Sequence, residues 1–239
     1  MSDGIEHQSW RVSAPFYHLS YIDIAHHLDE ALFAYLADKV QGAVVADCGC
    51  GPGVVVEKFL QRGASRVIGV DLNKAMLQQT RERVSRAVDK GQVQTVQAAF
   101  EPSLFPHLQK QYLDGQGFDV ILFKRSLYMG RAQALSVLRA AANGLNDDGI
   151  LAVIHGKRSL KYYAFGPGMR PMPYTPYHLF NRTISKLGEW FGIGNYKLYT
   201  EKGLLDLLCE AAPKYQVEKI PSEQHAYNLG AIRAEHSQT

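Results

Sequence analysis

The sequence lacks a hydrophobic run of about 18 residues, the length that a helix needs to cross a bilayer. It is also poor in cysteine: it has three in 239 residues, and Cys48 and Cys50 are separated by a single residue. An odd number at this spacing does not form a disulfide framework. The polar N-terminus, which includes Asp3 and Glu6, does not fit a secretory signal. We therefore expect a cytoplasmic protein that has no membrane partner.

A strong excess of charge of one sign is absent as well. The 26 lysine and arginine residues face 23 acidic residues, which leaves a net charge of +3. Proteins that bind nucleic acids usually carry a larger basic excess, so this class of partner is disfavoured. The hydrophobic fraction of 46% and the charged fraction of 21% exclude a disordered chain. The length suits one domain with at most a lid or a small insertion.

Short apolar runs alternate along the chain with segments of helical periodicity. The predicted strands cover residues 43–47, 66–71, 93–97, 118–123, 150–154, 215–220 and 226–234, and the predicted helices cover residues 21–40, 54–62, 74–90, 132–145 and 204–212. This order predicts an α/β fold with a Rossmann-like doubly wound sheet of seven strands, mostly parallel. The last strand is expected to be antiparallel, because the last two strands are joined too closely for a helical crossover. We interpret residues 1–239 as a single domain with an N-terminal helical cap at residues 1–40 and a lid insertion at residues 156–198.

A glycine-rich turn follows the first predicted strand and opens a helix. It runs from Asp47 to Gly53 as D-C-G-C-G-P-G, with Gly49 and Gly51 inside it. Glycines let the backbone approach a ligand closely, and the start of a helix offers free amides. The next strand ends in Asp71, whose carboxylate can accept both hydroxyls of a ribose. Because an acid at position 47 would repel a pyrophosphate, the turn favours a cofactor with a cationic amino-acid end over a dinucleotide.

Four segments, VVADCGCGPG, VIGVDLNKAML, FDVILFKRSLYMG and LNDDGILAVIHG, resemble successive motifs of the class I S-adenosylmethionine-dependent methyltransferases. The resemblance covers residues 40–155 and implies S-adenosyl-L-methionine as the cofactor. It implies that the acid and the glycines of the turn contact the methionine end and that Asp71 holds the ribose. The cofactor-binding residues that it implies are Tyr17, Asp47, Gly49, Gly51, Gly53, Asp71, Leu72, Met76, Ala99, Phe100 and Phe123.

The resemblance also assigns the remaining contacts of that site. Tyr17 would close over the methionine carboxylate, Leu72 and Met76 would lie beside the adenine, and Phe123 would lie under the sulfonium. One position departs from the family pattern, since Ala99 stands where an acid often binds the adenine amino group. A neighbouring acid or a backbone group could replace that contact. The departure also leaves open a relative that binds the cofactor without catalysing transfer.

Candidate catalytic residues lie at the ends of the fourth and fifth predicted strands. They are Lys124, Tyr128 and His155. Transfer of a methyl group requires an aligned acceptor, and a base only where the acceptor keeps its proton. His155 suits a base because histidine titrates near neutral pH, and a histidine bonded to a loop is the alternative. Because Lys124 and His155 stand where metal-assisted methylation needs acids, we expect no metal site.

The predicted lid, residues 156–198, is rich in aromatic and basic residues and contains one acid, Glu189. A cover of this kind fits a small organic acceptor with an aromatic or acidic group. The alternatives are a segment that packs on its own sheet or on a partner subunit in a homodimer, and one that grips RNA. The sequence thus favours a small-molecule methyltransferase with a biosynthetic role. A protein or RNA methyltransferase and a non-catalytic relative stay open as alternatives, and a nicotinamide-dependent oxidoreductase is disfavoured.

Overall fold

The computed structural model describes residues 25–156, 199–221 and 227–233. Its strands are β1 Val44–Cys48, β2 Arg66–Asp71, β3 Val93–Gln97, β4 Phe118–Lys124, β5 Leu145–Gly156, β6 Gln216–Glu218 and β7 Tyr227–Arg233. Its helices are α1 Ala25–Tyr35, α2 Ala37–Val40, α3 Val54–Gln61, α4 Lys74–Arg83, α5 Ser85–Asp89, α6 Leu104–Tyr112, α7 Arg131–Asn143 and α8 Glu201–Ala211. Predictions for Tyr17, for the first part of the helical cap and for nearly all of the lid lie outside the described residues.

The strands form one sheet in the order β3-β2-β1-β4-β5-β7-β6. The first five pair in parallel with their neighbours, which confirms the predicted α/β fold with a Rossmann-like parallel sheet. β7 pairs antiparallel with β5 and with β6. The strand order reverses between β1 and β4. Open α/β sheets bind ligands beyond the carboxyl ends of their strands at such a reversal, so the ends of β1 and β4 are the place to search for a site.

Both faces of the sheet are covered, which explains why its strands are continuous apolar runs. In β4, Val120 and Leu122 pack into a core shared with α1, α3 and α4. The alternating residues Ile121 and Phe123 pack into a second core, shared with α6, α7 and α8. Successive side chains of a strand point to opposite faces, so a single apolar run serves both cores.

The helical predictions need two corrections and one addition. The helix predicted over residues 74–90 is interrupted at Val84 between α4 and α5, and the one predicted over residues 21–40 is interrupted at Leu36 between α1 and α2. The helix α6 was not predicted, although its buried residues Leu104, Phe105 and Leu108 have helical spacing. Its Pro106 lies in the first turn, where no backbone N–H is needed.

The start of β5 also differs from the prediction. A helix to residue 145 and a turn at residues 146–149 were expected, yet α7 ends at Asn143 and β5 begins at Leu145. The pairing with β4 shifts register here, because Phe118 pairs with Leu145 while Val120 pairs with Ile150. The extra residues on β5 bulge at the edge of the pairing. The four turn-forming residues, 146–149, therefore lie in an irregular part of β5.

Candidate functional site

The glycine turn connects β1 to α3 through three residues in the left-handed region of backbone space. Gly49, Gly51 and Gly53 have φ values of +83°, +54° and +79°. A Cβ on Gly49 would lie 2.3 Å from Cβ of Ser126, and one on Gly53 would lie 2.8 Å from Cγ2 of Thr80. A Cβ on Gly51 would meet no atom within 4 Å. The first and third glycines are thus required by packing, whereas the second keeps a space open beside the backbone.

Asp71 holds this turn against the end of β2. One of its carboxylate oxygens accepts a hydrogen bond from the backbone N–H of Gly51 at 2.9 Å. The other oxygen accepts one from the backbone N–H of Asn73 at 2.8 Å. An ionised carboxylate accepts several hydrogen bonds, which suits Asp71 to bind hydroxyl groups of a ligand. The sequence prediction of Asp71 as a ligand residue fits this geometry and stays a prediction.

Asp47, at the end of β1, is a buried carboxyl group with 1% of its surface exposed. Its Oδ2 atom has no hydrogen-bond partner among the residues that the structure describes. Burial raises the pKa of Asp47 from 3.8 to about 7; the nearby Lys124 opposes this rise, and Asp71 and Asp29 add to it. A buried polar atom without a partner is costly in a folded protein, which makes Asp47 a candidate for binding a cationic group of a ligand.

Lys124, at the end of β4, forms a buried ion pair with Asp29 of α1. Asp29 is 1% exposed and also accepts from Nζ of Lys58 on α3 at 2.5 Å. Burial lowers the pKa of Lys124 from 10.5 to about 8, against the opposing attraction of Asp29 and Asp47. Sequence analysis missed Asp29. The available signal was its spacing from Leu32 and Leu36, because a carboxylate three and seven residues before buried leucines lies on the apolar face of the helix.

A cavity opens at the carboxyl ends of β1 and β4. The described residues that line it are Asp47, Gly49, Cys50, Gly51, Pro52, Val54, Val55, Lys124 and Arg125. It lies where the strand order reverses, as open α/β sheets lead one to expect. Arg125 adopts a φ of +54°, which is uncommon for a residue with a side chain and is found at functional sites. The cavity therefore combines a buried acid, two cations and half-buried glycine backbone.

The predicted adenine neighbours differ in their exposure. Leu72, just after β2, is 45% exposed, which is high for a large apolar side chain. Ala99 is exposed, and Phe100 is half-buried with its ring centroid 5.4 Å from that of Phe123. Met76 is 4% exposed and Phe123 is fully buried. Leu72, Ala99 and Phe100 thus leave surface for a ligand, whereas Met76 and Phe123, the residue predicted under the sulfonium, are buried.

The candidate base His155 is fully buried near the end of β5. Its Nε2 lies 3.2 Å from the carbonyl oxygen of Leu127, and its ring packs edge-on against Tyr128 and Tyr199 at centroid distances of 5.4 and 5.3 Å. Of the three predicted catalytic residues, only Lys124 lines the described part of the cavity. The catalytic roles of His155 and Tyr128 stay predictions.

Residues 25–156, 199–221 and 227–233 lack two other kinds of site. This part of the chain contains no group of three or more His, Cys, Asp or Glu side chains that could hold a metal ion. None of its helices is long and apolar enough to cross a membrane. Burial raises the pKa of the Cys48 and Cys50 thiols, so neither is suited to act as a thiolate nucleophile.

Comparison with known protein families gives a match to the methyltransferase domain over residues 45–149. Two curated relatives match over short stretches. An uncharacterized protein of Haemophilus influenzae is 37% identical over 51 residues, which is 21% of this chain and 20% of the relative. A ribosomal protein L11 methyltransferase of Alteromonas mediterranea is 44% identical over 45 residues, which is 19% of this chain and 15% of the relative. The matched stretches thus span about a fifth or less of these proteins.

Solved structures match over nearly the whole chain. Magnesium protoporphyrin IX methyltransferase from Synechocystis, with bound SAH, has a TM-score of 0.62 at 15% identity, covering 96% of this chain and 98% of that one. The 1,6-didemethyltoxoflavin-N1-methyltransferase of Burkholderia thailandensis has a TM-score of 0.60 at 20% identity, covering 96% and 87%. At this level of identity the likeness establishes a shared fold.

Proposed function

We propose that this chain, which matches the methyltransferase domain over residues 45–149, is a class I S-adenosylmethionine-dependent methyltransferase that methylates a small organic molecule as a step in biosynthesis. The observation that carries this proposal is the buried Asp47 carboxyl, whose Oδ2 lacks a partner among the described residues and which lines the cavity at the glycine turn. A cationic hydrogen-bond donor such as an ammonium group would pair with this carboxylate. The open space at Gly51 would admit the ligand that carries it.

The residues at the ends of β1 and β2 fit this cofactor. Asp47 would bind the ammonium of its methionine end, and Asp71 would bind the ribose hydroxyls while holding the N–H of Gly51. Leu72 and Phe100 would pack on the adenine, with backbone groups beside Ala99 replacing the acid found in other family members. When bound, S-adenosylmethionine supplies a methyl group that is already activated on a positively charged sulfur.

The acceptor would lie beyond the ends of β4 and β5. Lys124 and Arg125 place two cations at the cavity, which favours an acceptor with an acidic group. The aromatic and basic residues of the 156–198 segment would cover the acceptor and exclude water. Two structural neighbours are named for small molecules, magnesium protoporphyrin IX and 1,6-didemethyltoxoflavin, which supports an acceptor of this class.

The proposal is tested with S-adenosylmethionine that carries a labelled methyl group and a panel of aromatic and acidic small molecules. We expect labelled small-molecule product and S-adenosylhomocysteine. Label that enters only protein or RNA would contradict the proposal. Replacing the central part of the 156–198 segment with a Gly/Ser linker should abolish turnover while the affinity for S-adenosylhomocysteine stays within a few fold. Full turnover in that variant would show that the acceptor enters elsewhere.

A further inference from the structure

Three side chains from three elements form a buried charged cluster beside the glycine turn: Asp29 of α1, Lys124 of β4 and Asp47 of β1. Asp29 and Lys124 form an ion pair in which both side chains are 5% exposed or less. Lys124 and Asp47 line the same cavity, and they lie at the ends of adjacent parallel strands. A charge on one member of the cluster is therefore felt by the next with little screening by water.

We propose that Asp29 is a positioning residue of the cofactor site: it holds the Lys124 ammonium at the cavity that Asp47 also lines, and this charge supports the binding of the cofactor's ammonium by Asp47. This role rests on the proposed function, because it assumes a cofactor with a cationic amino-acid end. Asp29 itself does not line the described part of the cavity and acts through Lys124.

Each charge of the cluster changes the pKa of its neighbour. Burial alone would discharge Lys124, and the attraction of Asp29, together with its hydrogen bond, keeps the Lys124 pKa at about 8. Charged Lys124 in turn opposes the effect of burial on the Asp47 pKa, which stands at about 7. Removing the charge of Asp29 lowers the Lys124 pKa further, so Lys124 becomes neutral near pH 7. Asp47 then loses its cationic neighbour. The direct effect of Asp29 on the Asp47 pKa is an increase, and it is smaller than the decrease caused by Lys124. The loss of both charges therefore raises the Asp47 pKa, and Asp47 is protonated near pH 7.

Other charged groups around the cluster also change the pKa values of its members. Asp71 on β2 raises the Asp47 pKa, and Arg125 after β4 lowers the Lys124 pKa. Lys58 on α3 pairs with the other oxygen of Asp29 and is 22% exposed along its side chain. Lys58 therefore serves as the matched control, because it contacts Asp29 but is not among the charges that shift the Asp47 pKa.

The test is calorimetric titration of the full chain between pH 5.5 and 8.5 with two ligands. S-adenosylhomocysteine carries the ammonium, and 5′-methylthioadenosine lacks the amino-acid end. For the wild type, S-adenosylhomocysteine affinity should fall about tenfold per pH unit below a midpoint near 7. Asp29→Asn, which keeps the side-chain shape, should move that midpoint up by about one pH unit or more and weaken binding at pH 7 by about fivefold or more. The affinity for 5′-methylthioadenosine should change less than about twofold.

In Lys58→Gln, the pH midpoint of S-adenosylhomocysteine binding should stay at its wild-type value. A wild-type midpoint in Asp29→Asn, or an equal loss for both ligands at every pH, would overturn the positioning role and leave Asp29 a packing residue. If Asp29→Asn does not fold, Lys124→Met provides the same test, because it removes the cation directly. It should raise the midpoint of the pH dependence of S-adenosylhomocysteine affinity. An unchanged midpoint in Lys124→Met also overturns the positioning role. A wild type that binds neither ligand would contradict the proposed function itself, which keeps the two failures distinguishable.

Discussion

Gly51→Ala tests whether the open space in the glycine turn is where the cofactor lies. Gly51 has a φ of +54°, and a Cβ on it would have no atom within 4 Å. Gly91, between α5 and β3, is a matched control, since its φ is +71° and a Cβ there would be equally unobstructed. Gly51 lines the cavity beside Asp47, whereas Gly91 is not among the described residues that line it. The two substitutions therefore share their strain and differ in their position relative to the cavity.

The strain sets the expected loss of stability. An alanine forced into the left-handed region costs about 1–2 kcal/mol. In a domain of this size that lowers the Tm by roughly 2–8 °C, and both variants should show it. At Gly51 the methyl group also takes up space that the ligand needs and separates ligand atoms from the backbone, at about 0.5–1.5 kcal/mol for each hydrogen bond lost. We expect the affinity for S-adenosylhomocysteine to fall about tenfold or more in Gly51→Ala and less than about twofold in Gly91→Ala.

Scanning fluorimetry measures the Tm of each variant, and calorimetric titration measures the affinity. Equal affinities in the two variants, with the common loss of Tm, would refute the reasoning. In that case the cofactor does not approach the backbone at Gly51, and the glycine is needed for the turn alone.

Three further substitutions test other parts of the site. Asp71→Ala should weaken S-adenosylhomocysteine binding by about 1.5–3 kcal/mol in a calorimetric titration, the usual scale for a charge-assisted hydrogen bond, and unchanged affinity would remove Asp71 from the site. Asp47→Asn should stabilise the ligand-free protein more at pH 8 than at pH 4. Because the Asp47 pKa is raised to about 7, the free energy of unfolding of the wild type falls as the pH rises from about 4 to 7, by at most about 4 kcal/mol. The asparagine variant has no carboxyl group at this position and avoids this loss. Equal effects of Asp47→Asn on the Tm at the two pH values would contradict this. His155→Ala should lower kcat by roughly 10²–10⁴ if the acceptor proton needs a base, and turnover that survives makes His155 structural.

The parts of the site that are local in sequence could be predicted from it. The turn from Asp47 to Gly53 carries its own signal, because its glycines, the preceding apolar strand and the following helix are contiguous. Asp71 is recognisable for the same reason, since it ends the next buried strand. The α/β order follows from the alternation of strand and helix patterns, which local residues determine.

The contacts that join distant residues could not be predicted in this way. Asp29 and Lys124 lie far apart in the sequence, and only the packing of α1 over the end of β4 brings them together. The start of β5 was predicted wrongly because turn-forming residues were overridden by pairing with β4: Asn146 donates from its side-chain amide to Asp119 at 2.8 Å. The burial of His155 beneath Tyr128 and Tyr199 likewise depends on the position of a residue that follows the 156–198 segment.

We propose that the cavity at the glycine turn binds S-adenosylmethionine. The most direct measurement is thermal unfolding of the wild-type chain with S-adenosylhomocysteine and, separately, with NAD. A ligand at about 100 times its Kd stabilises the native state by roughly 2.7 kcal/mol, so S-adenosylhomocysteine should raise the Tm and NAD should leave it unchanged. A rise with NAD and none with S-adenosylhomocysteine would contradict the account.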